Sequence, residues 1–231
     1  MARFADRARA GRALAGRLDD LRLQSPLVLG LPRGGVPVAA EVAAGLDVPF
    51  NVLVARKVGA PGQEELGIGA VAEGRDEPVM TSTATALGLG PAEVDALVRR
   101  ARREVARRVE LYRAGRDLPE MRDADVVLVD DGLATGSTAE AALRALRERC
   151  PRRLVLAVPV GARQAVALLA EVADEVVCVR EPSYFVAVGE WYEDFSQVTD
   201  DEVLRLLENP AKRNSADGRP PGSDPRGGPV T

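Results

Sequence analysis

At 231 residues, 46% of them hydrophobic, the chain is sized for one domain with an ordinary core. Its formal net charge of −4 argues against a general nucleic-acid binder, and it contains no histidine, which excludes Ser-His-Asp and Cys-His catalysis and histidine metal ligation. Cys150 and Cys178 form no metal-like spacing, and neither a signal peptide nor a membrane span is visible, so a reduced cytoplasmic chain is expected.

Residues 2–23 predict an amphipathic helix, with Leu14, Leu18 and Leu21 on one side and arginines elsewhere. Residues 27–31 read as a buried strand, followed by Pro32-Arg33-Gly34-Gly35 and a helix over 36–44. A cation flanked by glycines between a strand end and a helix start suits an anion; a glycine-rich turn with an exposed arginine is the plainer alternative. Residues 50–55 read as a third strand ending in Arg56-Lys57. Almost every basic residue is arginine, Lys57 and Lys212 being the exceptions. A lysine offers a compact charge with rotatable donors, which a crowded diphosphate suits. Residues 58–77 carry five glycines and the acids Glu64, Glu65 and Glu73, a pattern expected of a mobile loop. Residues 68–72 and 79–81 are candidates for a small hairpin within it. Pro91 starts a long helix, with Arg100, Glu104 and Arg108 spaced for i,i+4 pairs on its outer face.

Residues 126–138, VVLVDDGLATGST, are the stretch around which the rest is organised. Val126 to Val129 read as a strand buried on both faces, as in a parallel sheet. Asp130 and Asp131 fall where the strand should end, and a helix is expected over 139–149. Ligands in parallel α/β sheets bind at the carboxyl ends of strands. Residues Thr135, Gly136, Ser137 and Thr138 would sit at a helix N-terminus, whose unpaired N–H groups and positive dipole end favour a phosphate. Like charges keep the two aspartates off that phosphate, but carboxylates accept from sugar hydroxyls. A phosphate and a diol a few residues apart describe a ribose 5-phosphate. Ser137-x-x-Glu140 also spells a capping box, a purely structural alternative.

A strand over 154–160, a helix over 162–172 and a last core strand over 175–180 follow. Most of the aromatic residues then cluster between Tyr184 and Phe195, where a planar base could stack. A short helix is expected over 199–207. We place one domain over 1–209 and a disordered tail over 210–231, rich in Pro, Gly, Ser and charge.

The 126–138 stretch resembles the phosphoribosyl-pyrophosphate (PRPP) binding motif of type I phosphoribosyltransferases, with a resemblance extending over roughly 24–195. It implies a parallel five-stranded core sheet flanked by helices, a small hood and a flexible loop. The implied activity is transfer of ribose 5-phosphate from PRPP to a nitrogenous base, purine-like here, with release of pyrophosphate. Mg²⁺ would arrive on the diphosphate, touching Asp130 and Asp131 only indirectly, and a homodimer is expected. Arg33, Gly34 and Gly35 resemble the family's pyrophosphate loop, in which many members carry a non-proline cis peptide. Arg56-Lys57 resembles a pyrophosphate-binding pair, Phe185 a base-stacking residue, and Glu193 or Asp194 a metal or pyrophosphate neighbour. The LATG wording is nearest to adenine-type members. Ala134 stands where the 6-oxopurine enzymes usually carry an aspartate, so the resemblance leaves Glu64 or Glu65 of the closing loop to act as base. A non-catalytic regulator that binds PRPP or nucleotides on the same fold is the alternative.

Overall fold

The protein is described from a computed structural model that covers residues 3–114 and 116–208, the side chain of Glu65 excepted. The expected tail, 210–231, lies outside the described residues. No helix among them is long and apolar enough to cross a membrane.

The core is a five-stranded sheet built from β1 (Leu27–Gly30), β2 (Phe50–Val52), β6 (Asp125–Val129), β7 (Arg153–Val160) and β8 (Glu175–Arg180). Their order is β2-β1-β6-β7-β8, and every pairing is parallel. The expected all-apolar strands are explained by burial on two faces. On one face Leu29, Leu128 and Leu156 pack with α5 (Ser137–Arg147) and α6 (Arg163–Leu169). On the other, Val28, Val127 and Val155 pack with α1 (Arg7–Asp19) and α2 (Gly35–Leu46). α1 is shorter than the expected 2–23 helix; Asp6 caps it by accepting from the Arg9 N–H at 2.6 Å.

The chain runs from β1 outward to β2 on one side, and from β6 outward to β7 on the other. The topological switch therefore falls between β1 and β6, and the two loops leaving their carboxyl ends are neighbours. The Leu31 N–H donates to the Val129 carbonyl at 2.9 Å, tying the two loop origins together.

The main departure from expectation lies in 50–80. The strand expected over 50–55 divides: β2 stops at Val52 and β3 (Ala55–Ala60) opens a separate antiparallel sheet with β4 (Gln63–Ala72) and β5 (Val79–Met80). Arg56 and Lys57 therefore lie inside a hairpin rather than at a core strand's end. Among the glycines of 58–77, Gly59, Gly67 and Gly69 serve close approach, while Gly62 and Gly74 take the left-handed conformation. A Cβ on Gly69 would come within 2.6 Å of the Val79 carbonyl oxygen. One on Gly67 would come within 2.9 Å of the Lys57 side chain. The expected pairing of 68–72 with 79–81 is present, with Ala70 opposite Val79. One face of the hairpin, through Ala55, Ala70 and Ala72, joins the core beside Ala139 and Ala142 of α5. The other, through Val58, Ile68 and Val71, packs on Val98, Ala101 and Val105 of α4 (Pro91–Arg113), which follows a short α3 (Ser82–Ala86). α7 (Asp200–Glu208) closes this second cluster with Val203.

The end of α4 is pinned by a buried ion pair between Arg113 and Glu73, whose side chains are 6% and 9% exposed. Arg113 also donates to the Val52 carbonyl at 3.2 Å, and Glu73 accepts from the Val54 N–H at 2.6 Å. The pair thus fixes the chain where it leaves one sheet for the other. Arg113→Ala leaves Glu73 buried without a counter-charge and is expected to destabilise the fold by about 3–5 kcal/mol in denaturant unfolding. A loss under about 1 kcal/mol would show that the pair does not hold this junction.

Candidate active site

Asp130 and Asp131 emerge from β6 at the switch point, as expected from the sequence. The Asp131 N–H donates to Asp130 Oδ1 at 2.8 Å. Desolvation pushes both carboxyls above the ordinary aspartate range. For Asp130 the neighbouring Asp131 charge pushes further, and for Asp131 the Arg7 guanidinium pulls back. Gly136, at φ 77°, takes the left-handed conformation that turns the chain into α5. Ser137 is buried at the first helical position, and its hydroxyl lies 3.4 Å from that of Thr135. The capping-box alternative is not realised: Ser137 is not the cap, and Glu140 accepts instead from Arg144 at 2.9 and 3.0 Å. Apart from that Thr135–Ser137 contact, the hydroxyls of 135–138 have no hydrogen-bond partner among the described residues.

The loop after β1 abuts this one. Its Pro32–Arg33 peptide is cis, as the resemblance implied. Side chains are excluded where the loops meet. A Cβ on Gly34 would overlap the Asp131 carboxylate, and one on Gly35 would stand 2.7 Å from the Val129 carbonyl oxygen and 3.1 Å from Asp130 Oδ1. Gly34-Gly35 is therefore packed against the acidic pair and is more than an exposed turn. Arg33 reaches Asp200 of α7, at 3.9 Å, and Asp200 also accepts from the buried Tyr112 hydroxyl at 2.5 Å. Desolvation, reinforced by Asp200, pushes that phenol above its usual range.

Arg56 and Lys57 point to opposite faces of β3, as neighbours in a strand do. Arg56 faces α4 and lies 3.8 Å from Glu104. Lys57, opposite Ala70, shares the face turned to α5. Glu64 pairs with Arg100 of α4 at 3.2 Å on the exposed side of the hairpin. Arg100 thus does not join Glu104 in the expected i,i+4 ladder; Glu104 is held instead by Arg107 and Arg108, each at 2.8 Å.

The aromatic segment forms a hood over the acidic loop. Val188 sits on Gly132, where an added Cβ would lie 2.5 Å from its Cγ1. Phe185 is half-buried against a cluster of Phe4, Val160 and Tyr192, whereas Tyr184 and Val186 are exposed. Asp194 folds back to accept from the Ser196 N–H at 2.9 Å.

Two site residues were not picked out from the sequence. Tyr192 is buried and donates its hydroxyl to the Asp131 carbonyl at 2.6 Å. Arg7, from the start of α1, places Nε 2.9 Å from Asp131 Oδ2, donates to the Ser196 carbonyl at 2.8 Å and stacks over the Phe195 ring at 3.9 Å. The N-terminal segment is drawn in because Phe4 pairs with Tyr192: the Phe4 N–H donates to the Trp191 carbonyl, and the Glu193 N–H to the Phe4 carbonyl, both at 2.8 Å. Neither residue carries a local sequence signal, since their partners lie far along the chain.

A doubly wound parallel sheet, with a glycine loop and an acidic loop meeting at its switch point, defines the class of fold. The family described as Phosphoribosyl transferase domain matches residues 5–195, and the chain belongs to that family. Its relatives include a curated Mycobacterium tuberculosis protein named "Putative phosphoribosyl transferase Rv0571c", 46% identical over 89% of this chain. That match covers 46% of the relative, so the chain spans about half the length of the curated relatives it matches. Among solved structures, that of TT1426 from Thermus thermophilus is similar at 46% identity with a TM-score of 0.74, covering 89% of this chain and 97% of the other.

Arg7 supplies the positive charge beside two desolvated carboxyls. Arg7→Ala is expected to lower PRPP affinity roughly 10- to 100-fold, the worth of a hydrogen bond to a charged group. Arg7→Lys should recover part of the loss in calorimetric titration. Equal affinities for wild type and Arg7→Ala would remove Arg7 from the site.

Proposed function

We propose that this chain transfers the 5-phosphoribosyl group of PRPP to a nitrogenous base, purine-like in size, and releases pyrophosphate. The observation that carries the reading is the contact between Gly34-Gly35 and the Asp130-Asp131 pair. It sets an anion-binding loop directly beside two carboxylates, with the start of α5 as a second anion cradle on the same side. A ribose bearing a diphosphate at C1 and a phosphate at C5 matches that order of charges. The 5-phosphate takes the N–H and hydroxyl donors of 135–138. The ribose hydroxyls donate to Asp131 and Asp130. The diphosphate lies along Arg33, Gly34 and Gly35, with Lys57 contributing from the hairpin.

In the reaction the C1–O bond to pyrophosphate breaks, its electron pair leaves with pyrophosphate, a ring nitrogen of the base forms the new bond to C1, and the proton that nitrogen carried passes to solvent. The protein's contribution is positioning and charge placement. Mg²⁺, bound to the diphosphate, would neutralise the leaving group. No group of three acidic or sulfur ligands stands together among the described residues, and the Asp130-Asp131 pair is suited to meet the ion through water or sugar oxygens. The base is assigned to the space under the hood, against Phe185. Ala134 places no carboxylate beside the attacking nitrogen, which favours a base that is not read by an acid from this loop.

Incubation with PRPP, Mg²⁺ and a panel of bases, reading pyrophosphate release, tests the activity. Release dependent on a purine is expected; PRPP binding without release for any base would leave a regulator. Asp131→Asn should weaken PRPP binding roughly 10- to 100-fold in a folded protein. Phe185→Ala should cost base or nucleotide binding about 1–3 kcal/mol while PRPP affinity holds. If purine nucleotides fail to bind the wild type while PRPP binds, the purine assignment falls.

A further inference from the structure

A cleft of about 560 Å³ opens between the β3–β4 hairpin and α4, on the face of the hairpin turned away from α5. Four arginines line it, Arg56, Arg100, Arg103 and Arg107, against two carboxylates, Glu64 and Glu104. That is a local excess of positive charge in a chain whose net charge is −4. Arg100, Arg103 and Arg107 are spaced i, i+3, i+7, so one stripe of α4 presents all three. Arg103 is exposed and has no hydrogen-bond or ion-pair partner among the described residues. Glu104 is already shared by Arg56, Arg107 and Arg108, and hydrogen bonds from Arg107 and Arg108 hold its carboxyl down at about 2. It therefore stays ionised and is fully used, and the remaining positive charge on the stripe is left uncompensated.

The floor of the cleft is apolar. Val58 and Ala60 come from β3, and Leu97 and Ala101 from α4. A simple phosphate needs only the basic rim. A ligand that also covers the floor needs a ring of some size, and the volume falls in the range of small-molecule sites. A long polyanion would instead have to run out over the surface of an acidic protein.

We propose that this cleft is a second anion site that takes a nucleoside di- or triphosphate. Arg100, Arg103 and Arg107 hold the phosphates, and the base lies over Leu97 and Val58. The site is separate from the Asp130-Asp131 loop: it faces α4, while the acidic loop lies at the carboxyl end of β6. Since β3 carries Arg56 on one face and Lys57 on the other, occupancy of the cleft loads the same strand that presents Lys57 towards α5.

The test is calorimetric titration of the full chain with ATP, GTP, inorganic tripolyphosphate and a single-stranded RNA oligomer, with PRPP at saturation. Wild type, Arg103→Glu and Asp131→Asn are compared. Saturable binding of ATP or GTP in the presence of PRPP is expected, weakened at least tenfold by Arg103→Glu with PRPP affinity unchanged. Asp131→Asn should show the reverse pattern, so failure of the second site is distinguishable from failure of the transferase reading. Arg103 is exposed and unpaired among the described residues, so its reversal leaves the fold intact; coincident thermal unfolding of Arg103→Glu and wild type checks this, and Arg103→Gln, with an expected smaller loss, serves if it does not hold. The proposal is overturned by absence of nucleotide binding, by Asp131→Asn abolishing PRPP and nucleotide together, by tripolyphosphate binding as tightly as the nucleotides, or by an RNA oligomer that binds more tightly with length and displaces them.

Discussion

The site depends on one steric constraint: the loop after β1 and the loop after β6 meet without room for a side chain. Gly34 lies against the Asp131 carboxylate and Gly35 against the Val129 carbonyl and Asp130. Sheet topology brings the loops side by side, because β1 and β6 are neighbours whose chains depart in opposite directions. The glycines then allow the backbone of one loop to approach the acids of the other. In the proposed reading, this contact is what lets one ligand's diphosphate and sugar diol be held together. Any Cβ at Gly34 would have to push Asp131 away from its position beside Arg7 and Tyr192.

Around that contact the chain places a second layer that orients the acids. Tyr192 holds the Asp131 backbone, and Arg7 holds its side chain. Arg7 is itself flattened on Phe195, and Phe4 pairs with Tyr192. The hood and the N-terminal helix are thus parts of one arrangement, and the desolvation they bring is what pushes both carboxyls upward. Burial and mutual repulsion oppose ionisation of the pair, and Arg7 is the nearby cation that works against that shift.

The core and the acidic loop were legible in the sequence because their signals are local. Apolar runs such as 126–129, followed by two acids and a small-residue turn, report strand, loop and helix start within a dozen residues. The glycines of 58–77 are ambiguous in sequence because glycine serves two ends, freedom and close approach, and at Gly67 and Gly69 only the cross-strand neighbours decide between them. Arg7 was invisible for a different reason. It is one of many arginines, and its partner lies 124 residues away. That Arg56 faces α4 likewise follows from β3 joining a second sheet, a tertiary fact that strand propensity does not carry.

The central claim is that the two loops form one binding site for a phosphorylated ribose carrying a diphosphate. It is tested most directly by a crystal structure of the protein with PRPP and Mg²⁺. The account predicts the ribose hydroxyls on Asp130 and Asp131, the 5-phosphate at residues 135–138 and the diphosphate along Arg33, Gly34 and Gly35. A ligand bound away from these loops, or one that binds only by separating Gly34 from Asp131, would contradict it.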